Sequence, residues 1–173
     1  MSMLLGLFLF GDSCWLLGAE KSETLTMYIS GVECPACISM VKLSVDEVKG
    51  VSELKIEQRL EGVANVTFDP KSATVHQVAQ AVTDAVAIHG KPYEARMELK
   101  VPAYAQHKPA VDAVFSQFKD LIEVNVMDAA RGEFTLLFQP LEKGQKGLDH
   151  TQFAEALKKI TPFTFVFEKA EGY

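Results

Sequence analysis

The chain is poor in several residue types, and each shortage excludes a class of protein. Its 173 residues include three cysteines, so at most one disulfide can form and a disulfide framework is excluded. Acidic residues outnumber basic ones by 23 to 17, and the net charge of −6 provides no basic surplus for non-specific nucleic-acid binding. No apolar run reaches the roughly 18–20 residues that cross a bilayer. We therefore expect neither a nucleic-acid partner nor a membrane-spanning segment.

Motifs of common catalytic sites are also missing from the sequence. It contains no glycine-rich phosphate-binding loop, no His-Glu-x-x-His zinc motif, and no Ser/His/Asp arrangement with an interpretable context. Hydrophobic residues make up 48% of the chain, which is ordinary for a globular protein. The sequence predicts a globular protein that is not an enzyme.

Residues 1–22 have the composition of an apolar leader. The run MLLGLFLF at residues 3–10 has the length of a signal-peptide core, and the small pair Gly18-Ala19 suits a cleavage site. No basic residue precedes the run, and Asp12 interrupts the apolar stretch, so an apolar extension is the alternative. We expect a periplasmic or secreted protein if this leader is cleaved, and a cytoplasmic protein otherwise.

The next part of the chain alternates strand and helix patterns in the order βαββαβ. Apolar residues alternate over 25–29, 51–56, 64–68 and 93–99, which predicts four strands. Stripes with helical spacing, beginning at Ile38 and at Val75, predict the two helices between them. Thr74 and Gln77 have the spacing of a capping box, so the second helix should begin there. Gly62 is expected at the hairpin turn.

The second half of the chain repeats these patterns at an offset of 70 residues. The matches include turn residues as well as apolar ones, such as Gly62 with Gly132. An insertion near residues 143–147 shifts the offset to 75, and Asp149 is expected to cap the last helix. We interpret the pattern as a duplication, with domains at 23–96 and 97–173.

The boundary between the two copies leaves no room for a linker. The last strand of the first copy and the first strand of the second both need residues 93–101. Either one long strand serves both copies, or it kinks near its middle. We expect two domains in a fixed relation to each other.

Two cysteines lie between the first strand and the first helix, in the sequence Cys34-Pro35-Ala36-Cys37. A helix N-terminus favours the thiolate form of cysteine, and thiolates are soft ligands. A pair without other ligands selects soft ions of low coordination number, such as Cu(I) or Hg(II), whereas Zn(II) prefers four ligands. Two alternatives stay open at this point, a redox-active dithiol and an inert structural pair.

The region 24–101 resembles the heavy-metal-associated domain family, whose signature is Gly-Met-Thr-Cys-x-x-Cys. The chain has Gly31-Val32-Glu33 before the two cysteines, and the segments that follow have the family's spacings. The resemblance to periplasmic mercury-binding proteins and copper chaperones implies an α+β fold of ferredoxin-like βαββαβ sandwiches with antiparallel sheets. The second copy is then a degenerate ferredoxin-like repeat without cysteines, in which Tyr104 and His107 occupy the aligned positions.

The resemblance also implies a function. Cys34 and Cys37 would bind one Cu(I) or Hg(II) ion and deliver it to a metal transporter or pump domain that has its own thiols. A thiol-disulfide oxidoreductase and a metal-responsive adaptor protein are the alternatives. The chain departs from the family where Val32 replaces methionine and Glu33 replaces threonine. Near the site, Lys91 could offset negative charge or be an ordinary loop lysine, and Tyr93 could shield the site or be an ordinary strand residue.

Overall fold

The computed structural model describes residues 22–57 and 62–165, so residues 1–21 of the leader lie outside the described residues. The elements, in chain order, are β1 (Glu23–Ser30), α1 (Pro35–Asp46), β2 (Val51–Ile56), β3 (Val63–Phe68), α2 (Val75–Asp84), β4 (Glu94–Lys100), α3 (Tyr104–Gln117), β5 (Ile122–Asp128), β6 (Glu133–Phe138), α4 (His150–Lys158) and β7 (Thr164–Phe165). The predicted α+β class is confirmed. No helix in the described part of the chain is long and apolar enough to cross a membrane.

All seven strands belong to one antiparallel sheet, in the order β2-β3-β1-β4-β6-β5, with β7 also paired to β4. Strand β4 pairs with β1 over residues 94–96 and with β7 over residues 99–100. It also pairs with β6 over residues 96–100. One uninterrupted strand therefore closes a first βαββαβ unit and opens a second one.

The four helices cover the same face of this sheet. Residues that are paired in register share a face, and Met27, Ala95 and Leu99 belong to one set. In β6 the same face carries Phe134, whose ring lies 5.2 Å from that of Phe115 in α3. The core is therefore a continuous layer between the sheet and the helices.

Local sequence signals explain where the helices begin. Thr74 and Gln77 form the predicted capping box at α2, and Asp149 accepts hydrogen bonds from two backbone N–H groups at the start of α4. Helix α3 has non-helical dihedral angles at His107, two residues before Pro109. Proline lacks the N–H that would continue the hydrogen-bond ladder, which accounts for the kink.

The matched glycines Gly62 and Gly132 occupy equivalent positions in the two units. Each has a positive φ, and a Cβ on either would lie 1.9 Å from a strand carbonyl oxygen, that of Ile29 or of Val101. These contacts place Ile29 and Val101 at equivalent positions in the two units. The strands β1 and β4 are therefore related by an offset of 72 residues, whereas the two glycines are 70 residues apart. Met27 is therefore equivalent to Leu99, although the offset of 70 in the sequence aligns it with Met97.

The shift has a simple structural cause. Four residues separate Ile29 from Cys34, whereas two residues separate Val101 from Tyr104. The strand-to-helix loop of the second unit is thus shorter by two residues. Strand side chains alternate between the two faces with a period of two residues, so a shift by two leaves the same face buried. The pattern of apolar residues in the sequence therefore does not reveal the shift.

The two units contact each other through α2 and the segment 139–148, which contains the insertion. His76 is fully buried, with Nε2 at 2.6 Å from the Gln139 carbonyl oxygen, and its Nδ1 accepts a hydrogen bond from the Leu148 N–H at 3.0 Å. His150 is 6% exposed, and its Nε2 lies 2.7 Å from a Glu23 carboxylate oxygen. Both histidines lie between elements of different units, although their scattered positions in the sequence favour solvent-facing side chains.

Candidate metal centre

Cys34 and Cys37 occupy the N-cap and N3 positions of helix α1. An N-cap side chain normally accepts a hydrogen bond from the backbone N–H of N2 or N3, and the Cys34 Sγ accepts one from the Cys37 N–H at 3.2 Å. Pro35 follows at N1, where its missing N–H costs no helical hydrogen bond. The start of the helix therefore brings the two cysteine side chains together.

The two sulfur atoms lie 2.7 Å apart, and both cysteines are free thiols. Cys37 is fully buried in the core cluster, whereas Cys34 is half-buried at the surface. The predicted site residues are thus adjacent, and one of them is accessible to solvent. The pair can offer two soft ligands to a single ion.

The environment of Cys37 favours its thiolate form. The pKa of Cys37 is lowered from 9.0 to about 7, chiefly by the hydrogen bond with the Cys34 side chain, while burial acts in the opposite direction. Hydrogen bonds from the Tyr93 side chain and from the backbone of Glu33 and Cys34 lower this pKa further. Because the thiolate is the form that binds a metal, the lowered pKa reduces the cost of releasing the proton at neutral pH.

Tyr93 lies beneath the cysteine pair. Its side chain is 1% exposed, and burial raises the pKa of its hydroxyl group. The hydroxyl oxygen accepts a hydrogen bond from the Ile88 N–H at 3.4 Å and is also hydrogen-bonded to Cys37. Tyr93 is therefore part of the site, and it is more than an ordinary strand aromatic.

His89 is the residue of the site that the sequence analysis missed. It lies in the loop between α2 and β4, and its Nε2 is 3.4 Å from the Cys34 Sγ. The donor atoms of Cys34, Cys37 and His89 all lie within 4.8 Å of one another. His89 is exposed, and nothing in its sequence context places it beside Cys34, because 55 residues separate the two.

The other residues near the motif have smaller roles in the geometry. Val32 packs against the core and, with Cys34 and Ile38, lines a cavity of about 190 Å³. Met40 is partly buried against the core, and Lys91 is exposed in the loop that also carries His89.

The second unit has a different arrangement at the corresponding point. Tyr104 is buried, its hydroxyl donates a hydrogen bond to Asp112 at 2.9 Å, and its ring lies 4.8 Å from that of Phe134. His107 is exposed at the kink of α3. Neither residue forms part of a metal-ligand cluster in the described residues. The described part of the second unit therefore has no counterpart of the cysteine pair.

Comparisons with known proteins show which family the chain belongs to. The chain is 35% identical over 65 residues to the mercuric transport protein periplasmic component of Shigella flexneri, covering 37% of this chain and 69% of that protein. It is 32% identical over 62 residues to the copper chaperone CopZ of Bacillus subtilis, covering 36% of this chain and 88% of that protein. The chain belongs to the heavy-metal-associated domain family. The predicted resemblance is thus confirmed.

Relatives of this family also occur among solved structures. The mercury-bound form of MerP, a periplasmic protein of bacterial mercury detoxification, is 32% identical, with 43% of this chain and 97% of that chain covered and a TM-score of 0.35. No model of a protein family matches the sequence.

Proposed function

We propose that the protein binds one soft metal ion, Cu(I) or Hg(II), through Cys34 and Cys37 and delivers it to an acceptor protein. The adjacent sulfurs at the start of α1 are the observation that carries this proposal. The lowered pKa of Cys37 supports it, because the thiolate is the metal-binding form. The names of the relatives, a mercuric transport protein and a copper chaperone, support the same two ions. The role is non-enzymatic.

Delivery would proceed by exchange of thiolate ligands. Cys34 is half-buried and Cys37 fully buried, so an incoming thiolate approaches the ion from the side of Cys34. The acceptor thiolate forms a bond to the ion, the bond from Cys34 breaks, and a second acceptor thiolate then replaces Cys37. The ion keeps its oxidation state throughout. The partner is a metal transporter or pump domain with its own pair of thiols.

The cellular compartment determines whether the cysteine pair is reduced or oxidised before it binds the ion. In a periplasmic or extracellular space, two thiols 2.7 Å apart can be oxidised to a disulfide, so loading needs a reductant or a rapid supply of metal. In a cytoplasm the pair stays reduced. Cleavage of the leader at residues 1–22 would therefore change the redox requirement of the protein and leave its ligands unchanged.

The second unit, residues 97–173, is on this proposal a degenerate copy that supports the first. The shared strand β4, the buried His76 and the contact of His150 with Glu23 hold it against residues 23–96. Its described residues contain no counterpart of the cysteine pair. We assign it a stabilising role.

A competition titration tests the proposal. The reduced protein is titrated with Cu(I), and separately with Hg(II), against a chelator of known affinity, alongside Cys34→Ser and Cys37→Ser. We expect one ion per chain in the wild type and a large loss of affinity in each variant. The absence of binding by the reduced wild type, or equal binding by Cys34→Ser, rejects the proposal.

The alternatives are distinguished by separate assays. A thiol-disulfide oxidoreductase would reduce insulin catalytically, whereas we expect no turnover. A metal-responsive adaptor would bind its partner in the presence of metal and keep the ion, whereas a delivery protein loses the ion to the acceptor.

A further inference from the structure

We propose that His89 is a third ligand of the cysteine pair and that its imidazole makes the site selective for Cu(I) over Hg(II). This inference rests on the proposed function. The sequence motif supplies two sulfurs, and the fold adds a nitrogen. The His89 Nε2 lies 3.4 Å from the Cys34 Sγ, and the three donor atoms are all within 4.8 Å of one another.

The distances among these three donor atoms suit a three-coordinate ion. Metal–nitrogen and metal–sulfur bonds are about 2.0–2.3 Å long, so three ligands around a central ion lie roughly 3.5–4 Å apart. The distance from Cys34 to His89 is already close to that value. The two sulfurs, at 2.7 Å, must separate by about 1 Å, and rotation of the half-buried Cys34 side chain can supply this movement.

A hydrogen bond to Tyr93 anchors the loop that carries His89. Tyr93 is buried, and its hydroxyl accepts a hydrogen bond from the N–H of Ile88, the residue just before His89. The same hydroxyl is hydrogen-bonded to Cys37. One side chain thus connects the backbone next to His89 with the second sulfur. Tyr93 acts as a positioning residue that limits how far His89 can move from the pair.

The third ligand discriminates between the two candidate ions by their coordination chemistry. Imidazole is a good ligand for copper, and Cu(I) readily accepts three ligands, two of them thiolates. Hg(II) forms strong linear bonds to two thiolates and gains little from a third, nitrogen ligand. A neutral imidazole also adds a bond without changing the charge of the complex. His89 should therefore strengthen Cu(I) binding and leave Hg(II) binding nearly unchanged.

The test compares the ratio of Cu(I) to Hg(II) affinity in the reduced full-length protein, in His89→Ala, and in a control, His107→Ala. His107 is an exposed histidine of the second unit outside the described ligand cluster, so it matches His89 in exposure and chemistry. Circular dichroism checks that both variants fold. We expect the ratio to fall at least about tenfold in His89→Ala, since even groups that only support a metal ligand contribute that much. The ratio should stay constant in His107→Ala.

A spectroscopic measurement tests the same ligand directly. With ¹⁵N-labelled histidine, the Nε2 resonance of His89 should shift on addition of one equivalent of Cu(I), while that of His107 should not. An unchanged affinity ratio in His89→Ala, an equal fall in His107→Ala, or an unshifted Nε2 resonance overturns the inference. If the wild type binds neither ion, the proposed function itself fails. These outcomes keep the two claims separate.

Discussion

The Cys34 sulfur accepts a hydrogen bond from the backbone N–H of Cys37 at 3.2 Å, and the same geometry leaves the two sulfurs 2.7 Å apart. The contact is an N-cap, made by a cysteine where helices usually have serine, threonine, aspartate or asparagine. The start of helix α1 therefore builds the metal site and stabilises the helix with one side chain. Substitutions can separate these two roles.

Cys34→Ser should greatly weaken metal binding but keep the helix cap, because the serine hydroxyl is a good N-cap acceptor. Cys34→Ala should lose both, at a cost of about 1 kcal/mol in the free energy of unfolding relative to Cys34→Ser. Urea denaturation of the reduced, metal-free proteins measures this difference. Equal stability of the two variants would show that a side-chain acceptor at position 34 does not stabilise the helix.

The thiol of Cys37 should ionise near neutral pH in the reduced, metal-free protein. Its pKa of about 7 lies below the ordinary 9.0, so thiolate absorbance at 240 nm should rise as the pH passes through 7. Tyr93→Phe removes one of the hydrogen bonds that lower this pKa, and the midpoint should move upward. Observation of a thiolate only near pH 9 in the wild type, or of the same midpoint in Tyr93→Phe, contradicts the assignment.

Protonation of His76 should destabilise the contact between the two units. Burial lowers the pKa of His76 below 6.5, and the neutral ring accepts a hydrogen bond from the Leu148 N–H. A histidine with a lowered folded-state pKa contributes stability that is complete above the unfolded value of 6.5 and is lost as the pH falls through the folded value. The free energy of unfolding should therefore decrease as the pH falls below about 6.5.

His76→Ala isolates this contribution, since it leaves the Gln139 carbonyl and the Leu148 N–H without their partner. At pH 7.5 the variant should lose about 2–3 kcal/mol. The difference from wild type should shrink as the pH falls, whereas the exposed His107→Ala should match wild type throughout. A constant difference between pH 7.5 and pH 5 argues against a neutral buried His76.

The shared strand β4 predicts that the two units unfold together. Phe153 is fully buried in the second unit, and Phe153→Leu should cost about 1–2 kcal/mol. Alkylation of Cys37, which is buried in the first unit, should then begin at a lower urea concentration. Met127→Leu, at a 69% exposed position of the second unit, serves as the control and should have no effect. Unchanged protection of Cys37 in Phe153→Leu would mean that the units unfold independently.

Much of the fold follows from short-range patterns in the sequence. Alternation predicted β1 to β4, and helical stripes predicted α1 and α2. The repeat at an offset of 70 extended the pattern to the second unit, and polar residues at Thr74 and Asp149 marked helix starts. These signals depend on neighbours within a few residues, which a single sequence displays. The position of the cysteine pair at a strand-to-helix loop follows in the same way.

The features that were missed depend on contacts between distant segments. His89 approaches Cys34 because the loop before β4 folds over the helix start, and His76 is buried because the segment 139–148 covers it. The insertion near residues 143–147 interrupts the repeat. It was the one feature of the sequence that indicated the additional segment over His76. The two-residue shift between β1 and β4 escaped detection because it preserves the alternation of buried and exposed positions.

X-ray absorption of the Cu(I)-loaded, reduced protein tests the central claim most directly. It reports the atoms bonded to the ion, while the metal-to-protein ratio gives the stoichiometry. We predict one ion per chain with two sulfur neighbours, and the loss of one sulfur in Cys37→Ser. A bound ion without sulfur neighbours, or an identical spectrum in Cys37→Ser, would contradict the assignment of Cys34 and Cys37 as the metal ligands.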